Sequence, residues 1–257
     1  YISWVQHAKY NLIDGCIFSI HSAACVRPEW GENGVTGESY QIGLQVQKHV
    51  DQILLLPHST YIIPVPNSDG MSMHTSQLHD TPHRGKVASG VLISKDVGDF
   101  NNALLSCIIC AIKNAKTSID ILTPNYNSII IFKAFPKSNV QVRIIVFSGH
   151  NETFLHPLYF PKSYVFAQKN QSPNILLRYY GRSGSRGHGP TRSGRDAVMH
   201  SKLLIVDGRW VFFGSMNMDR FSTSGQSEAA LLIDSTDVAN DATKQFERYW
   251  IDSNLHH

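Results

Sequence analysis

The sequence predicts an α/β protein of two similar lobes, each a mixed sheet flanked by helices, with the first lobe shortened at its N-terminal side. Three observations predict it: short β-branched runs that alternate apolar and polar residues, two stretches with helical spacing, and one pattern of His, Lys, Asp and Gly that occurs twice. The 257 residues are 42% hydrophobic and 17% charged, against ~25% charged in an ordinary domain, so a sizeable core is available and global disorder is excluded. Lys plus Arg (23) exceed Asp plus Glu (20) by only three. That balance is too small for the sustained cationic face of a dedicated duplex binder.

Tyr10 to Ile13 and Ile17 to Ile20 are apolar runs separated by Asp14-Gly15, a dipeptide that favours a hairpin turn. A loop rich in Gly, Pro and Glu follows from Arg27 to Gly37, and Tyr40, Ile42, Leu44 and Val46 alternate as a half-buried strand does. Pro57 to Lys86 is dense in Pro, Gly, Asn and His and reads as a linker. It divides the chain into a part of the first lobe (1–56), a connection (57–98) and a second lobe (99–257). In the second lobe, Asn101 to Ala115 has helical spacing, Ser118 to Thr123 is a strand stopped by Pro124, and Val140, Val142, Ile144 and Val146 alternate on another strand. Gly181 to Arg195 reads as a flexible basic loop carrying Arg182, Arg186, Arg192 and Arg195. Leu203 to Val206, Asp207-Gly208 and Val211 to Phe213 repeat the opening hairpin, Ala229 to Ile233 is a strand, and Val238 to Trp250 closes the chain as a helix with Phe246, Tyr249 and Trp250 on its apolar side.

No apolar run approaches the ~18 residues that span a bilayer; the strongest, Leu104 to Ile112, is interrupted by Ser106. The chain opens at Tyr1 with no charged-then-apolar leader, and the compartment is left open. Cys16, Cys25, Cys107 and Cys110 are too few for a disulfide scaffold, and Cys107 and Cys110, inside an apolar helical pattern, are expected as core thiols.

The repeat carries the chemistry. His7, Lys9 and Asp14 stand at offsets 0, +2 and +7 and are followed by Gly15; His200, Lys202 and Asp207 stand at the same offsets and are followed by Gly208. Glu38 comes 24 residues after Asp14 and Glu228 21 after Asp207, each expected to open an alternating strand. Residues two apart on a strand share a face, so each copy projects an imidazole beside an ammonium, a pair that suits an anion. A divalent metal is a poor fit, because the lysine repels it and no carboxylate cluster supplies hard oxygen ligands. No metal and no cofactor are expected.

These residues resemble the phospholipase D superfamily, marked by His-x-Lys-(x)4-Asp carried twice. Here the motif stands as His7-Ala-Lys9-Tyr-Asn-Leu-Ile-Asp14 and His200-Ser-Lys202-Leu-Leu-Ile-Val-Asp207. The second copy continues through Gly214-Ser215-Met216-Asn217, Asp219 and Glu228, which is similar to bacterial cardiolipin synthases and related phosphatidyltransferases. The first copy has Ser22 where the second has Ser215, but His21 and Ala24 where the second has Gly214 and Asn217.

The resemblance implies two phospholipase D-like lobes whose His-Lys pairs converge on one phosphodiester. One imidazole attacks phosphorus and the other protonates the leaving alkoxide; the usual role of the N-terminal motif favours His7 as the nucleophile, and the incomplete first copy favours His200. Lys9 and Lys202 stabilise charge on the phosphoryl oxygens, Ser22, Ser215 and Asn217 add neutral hydrogen bonds, and Glu38 and Glu228 orient histidines. Asp14 and Asp207 belong to the motif and, in Asp-Gly turns, read mainly as structural. The expected partners are a phospholipid and a membrane surface, with the chain peripheral to it. A metal-independent nuclease, using the Arg182 to Arg195 loop on nucleic acid, and a non-catalytic binding remnant stay open as alternatives.

Overall fold

The computed structural model describes residues 10–21, 30–31, 34–54, 89–95, 102–137, 139–147, 173–180 and 198–255. Strands β1 (Tyr10–Ile13), β2 (Ile17–His21), β3 (Trp30–Gly31) and β4 (Gly34–Glu38) precede helix α1 (Tyr40–Leu54). After β5 (Ser89–Lys95) come α2 (Ala103–Asn114), β6 (Ser118–Thr123), α3 (Ile129–Ala134), β7 (Gln141–Phe147) and β8 (Ile175–Tyr180). The chain continues through β9 (Val198–Met199), β10 (Leu203–Val206), β11 (Trp210–Gly214), α4 (Arg220–Ser224), β12 (Glu228–Asp234), α5 (Thr236–Asp252) and β13 (Asn254–Leu255).

Eight strands form one mixed sheet in the order β13-β8-β7-β6-β10-β11-β12-β5. β6, β7 and β8 are parallel, while β10, β11, β12 and β5 add on antiparallel to their neighbours. The central strands are buried on both faces and read as apolar runs: Leu203, Leu204, Ile205 and Val206 are all at most 2% exposed. One face, through Ile119, Ile121, Val142, Ile144 and Leu204, packs on Leu104, Leu105, Ile108 and Ile112 of α2. The other, through Leu203, Ile205, Phe213, Leu231 and Ile233, packs on Phe246 of α5, Ile42 and Val46 of α1, and Ile20 of the first hairpin. β1, β2 and β4 make a separate three-stranded antiparallel sheet.

Caps mark where the helices begin. Asn102 Oδ1 accepts from Leu105 N (2.7 Å), Asp219 Oδ1 from Ser222 N (2.7 Å) and Ser235 Oγ from Val238 N (3.3 Å). As expected, α5 lays Phe246 (0% exposed) on the sheet. Arg143 stacks over Phe246 and Trp250 (4.7 and 5.3 Å to the ring centres) while bonding Asp120 and Glu247.

Four expectations need correction. Tyr40 to Val46 is helix, because Ile42, Val46 and His49 (i, i+4, i+7) are buried while Tyr40 and Leu44 are more than half exposed, and Ser39 Oγ caps the turn by accepting from Ile42 N (3.3 Å). Gly43 lets α1 lean on the first hairpin, since a Cβ there would lie 1.9 Å from Gly15 O. Gly34–Glu38 is a strand rather than loop, so Glu38 closes a strand instead of opening one. Within the expected connection 57–98, Ser89–Lys95 is the edge strand paired with β12; residues 55–88 lie outside the described residues. Cys107 is half-buried, with its thiol pushed up by burial and by Cys110, whereas Cys110 is exposed. The basic loop, residues 181–195, lies outside the described residues.

Candidate active site

β5, β6 and β11 end, and β10 and β12 begin, at one end of the large sheet, as the pairs Leu203 with Leu122, Leu203 with Phe213, Gly214 with Ala230 and Glu228 with Lys95 require. The second motif collects there. His200, Ser201 and Lys202 lie in the three-residue link between β9 and β10 rather than inside one strand, and they are 6%, 0% and 3% exposed. β9 pairs in parallel with β3, so Trp30 and Gly31 lie against Val198 and Met199 immediately before His200.

The imidazole and ammonium meet, through the fold of this link rather than through the strand alternation expected of them. Lys202 Nζ lies 2.9 Å from each ring nitrogen of His200 and donates to His200 O at 2.7 Å. Ser215 Oγ donates to Glu228 Oε2 and accepts from Ala229 N (3.1 Å), with Ser215 1% and Glu228 0% exposed. Gly214 permits this approach, because a Cβ would fall 2.3 Å from Ala229 O and 2.7 Å from Ala230 Cα. Asn217 is 8% exposed, and its Oδ1 is enclosed without a hydrogen-bond partner among the described residues.

The segment from 215 to 228 is held by buried polar groups that the sequence reading passed over. Thr123 Oγ1 accepts from Met218 N (3.1 Å) and donates to Asn125 O (2.7 Å); Asn127 Oδ1 accepts from Arg220 N (2.9 Å); Ser222 Oγ donates to Gln226 Oε1 (2.7 Å). Each is a hydrogen bond between segments distant in sequence or across a turn, and no local pattern signals it. Lys95, 2% exposed at the end of β5, was passed over for a similar reason: it sits in a stretch that reads as linker.

Not every predicted site residue joins this sheet end. Asp207 sits at the opposite end of β10, about 16 Å from Lys202 at ~3.3 Å per residue. Its carboxylate accepts from Lys116 N, Thr117 N and Ser118 N (3.0, 2.8 and 3.2 Å) and from Thr117 Oγ1 (3.0 Å). Partial burial works against its ionisation, but these donors outweigh it and hold the carboxyl below its usual range. Asp207 therefore ties its turn to the start of β6, at the end of β10 away from His200 and Lys202. Asp14 has the matching left-handed turn conformation (φ 51°, against 55° for Asp207) and is exposed.

Glu38 is exposed and paired with Ile17, at the turn end of the first hairpin. Its counterpart by register is Asp234, paired with Trp210, and not Glu228. Residues 32 and 33, just before Gly34, lie outside the described residues. His7, Lys9 and Ser22 lie outside them as well. Among the described residues, no three His, Cys, Asp or Glu gather as a metal site, and no helix is long and apolar enough to cross a membrane.

A mixed sheet between helices, with cationic and hydroxyl groups at one end, is the fold of the phospholipase D superfamily. A phosphatidylserine synthase from Haemophilus influenzae superposes over 98% of this chain and 63% of its own (TM-score 0.66, 13% identity). NucT from Helicobacter pylori superposes over 66% of this chain and all of its own (TM-score 0.51, 19% identity). At these identities the likeness is one of fold. In sequence, residues 108–250, more than half of the chain, match the family described as cardiolipin synthase, PLD-like domain, and the chain belongs to that family. The chain is also 36% identical over 63 residues to mouse 5'-3' exonuclease PLD4 and 40% identical over 55 residues to the human protein; these matches cover 24% and 21% of this chain and only 12% and 11% of the relatives.

Proposed function

We propose that the chain hydrolyses a phospholipid phosphodiester or transfers its phosphatidyl group through a covalent phosphohistidine. In the first step an imidazole nitrogen of His7 bonds to phosphorus, the bond from phosphorus to the leaving alkoxide breaks, and His200 gives that alkoxide its proton. In the second, water or an alcohol loses a proton to His200 and bonds to phosphorus, and the phosphorus–nitrogen bond breaks. Lys9 and Lys202 balance charge on the non-bridging oxygens and the Asn217 amide adds a neutral donor, while the single hydroxyl proton of Ser215, expected to reach the phosphate, is committed to Glu228. The observation that carries this reading is the buried Lys202–His200 contact at 2.9 Å beside the Ser215–Glu228 pair. Phosphatidylglycerol, phosphatidylcholine and single-stranded DNA, each assayed with EDTA, test it. Headgroup release from a phospholipid is the expected result; turnover of none of the three contradicts it.

A nuclease is the second reading, favoured by the matched stretches of the exonucleases. It predicts cleavage of the DNA with a steep salt dependence, since phosphate contacts displace counterions.

A further inference from the structure

Lys95 is 2% exposed and closes β5 directly opposite Glu228, itself 0% exposed. Directly opposed residues of an antiparallel pair share a face, with Cβ atoms ~4.5–5.5 Å apart. Ala229, Leu231 and Ile233 face the α5 side and Ala230 the α2 side, so alternation puts Glu228 and Lys95 together on the α2 side. Burying either charge alone carries a heavy desolvation penalty, which an opposite charge in register offsets. Lys95 Nζ is enclosed, so it acts on a substrate only through its neighbours.

We propose that Lys95 is a positioning residue of the active site, whose buried ammonium, in register across the β5–β12 pair, holds the Glu228 carboxylate in place. This rests on the reading of Glu228 as a carboxylate of the reacting site. The other groups around that carboxylate fit the assignment. Ser215 donates to it from the end of β11, and His200 and Lys202 lie at the same sheet end. α2, which packs on β5, carries one charged residue, Lys113, in its last turn away from the N-terminal cap. The titratable groups of α1, Tyr40, Lys48, His49 and Asp51, belong to a helix packed on the opposite face.

The test combines pH–rate profiles with unfolding of the full chain. Lys95→Met, which takes the cross-strand cation away from the carboxylate, shifts the acid limb of kcat/KM upward, and Lys95→Arg returns it toward wild type. An acid limb unchanged in Lys95→Met overturns the proposal. Thermal midpoints of Lys95→Met, Glu228→Gln and the double variant give a readout independent of turnover. The double variant is expected to lose less than the sum of the singles, and to fold even where Lys95→Met alone does not. Strictly additive losses overturn the pair. If wild type turns over no phosphodiester, the functional reading fails while the unfolding cycle still decides the pairing.

Discussion

The hairpins β1–β2 and β10–β11 share a turn and differ in nearly everything around it. Both turns place Asp and Gly at positive φ (51° and 71°, against 55° and 59°), and the ladders open on matching pairs, Ile13 with Ile17 and Val206 with Trp210. The second hairpin lies in the middle of the eight-stranded sheet, flanked by β6 and β12, and Asp207 ties its turn to the start of β6. The first supplies two strands of a small three-stranded sheet, with β1 at its edge, and its turn rests against Gly43 of α1. A tight turn is specified locally by its own dipeptide. Which acid stands at the sheet end that carries His200 and Lys202 is specified by the third strand: β12 brings Glu228 alongside the end of β11, whereas β4 brings Glu38 to the turn.

The sharpest break between the copies is at the histidines. His200→Asn is expected to lower phosphodiester turnover by about 10⁴-fold, the scale seen when a member of a concerted catalytic set is removed. His7→Asn is expected to fall as far if the two act as one unit, and a loss confined to one of them shows that the copies are not catalytically equivalent. The acids come next. Glu228→Gln is expected to reduce kcat by about 10²-fold, the scale of losing one positioned electrostatic partner, and Glu38→Gln to leave it within about twofold. A similar loss in both returns Glu38 to the site.

Stability contrasts follow. Gly214→Ala is expected to cost about 2–3 kcal/mol, because backbone on β12 must retreat from the added methyl, read as a lower denaturation midpoint. Asp207→Asn is expected to cost about 1–2 kcal/mol at pH 7, from charge-assisted bonds to three backbone amides, against about 0.5 kcal/mol or less for the exposed Asp14→Asn. The folded state favours the ionised form of Asp207, lowering the pH at which its carboxyl takes up a proton. The advantage of the wild type over Asp207→Asn is thus full above the unfolded value of about 4 and disappears as pH falls through the lower folded value. An advantage that grows on acidification contradicts this.

Periodicity and turn chemistry made α2, β6, β7, the two hairpins and α5 legible in the sequence, because each is set by residues within one segment. The His200–Lys202 contact was legible for the same reason. Tyr40 to Val46 misled because Tyr, Ile, Leu and Val fit a period of two over seven residues; the signal for helix was Ser39 before them and His49 after them. Glu38 misled because distance along the chain from Asp14 does not measure strand register. Lys95, Thr123 and Asn127 became visible only when tertiary pairing brought β5, β6 and the 215–228 segment to one sheet end.

The central claim is that an imidazole of this chain opens the phosphodiester. Rapid quenching during turnover of a radiolabelled phosphodiester, in EDTA, followed by peptide mapping, tests it most directly. The account predicts an acid-labile phosphoryl adduct on the peptide carrying His7 or His200. Full turnover with no adduct at any quench time, or turnover lost in EDTA and restored by a divalent cation, contradicts it.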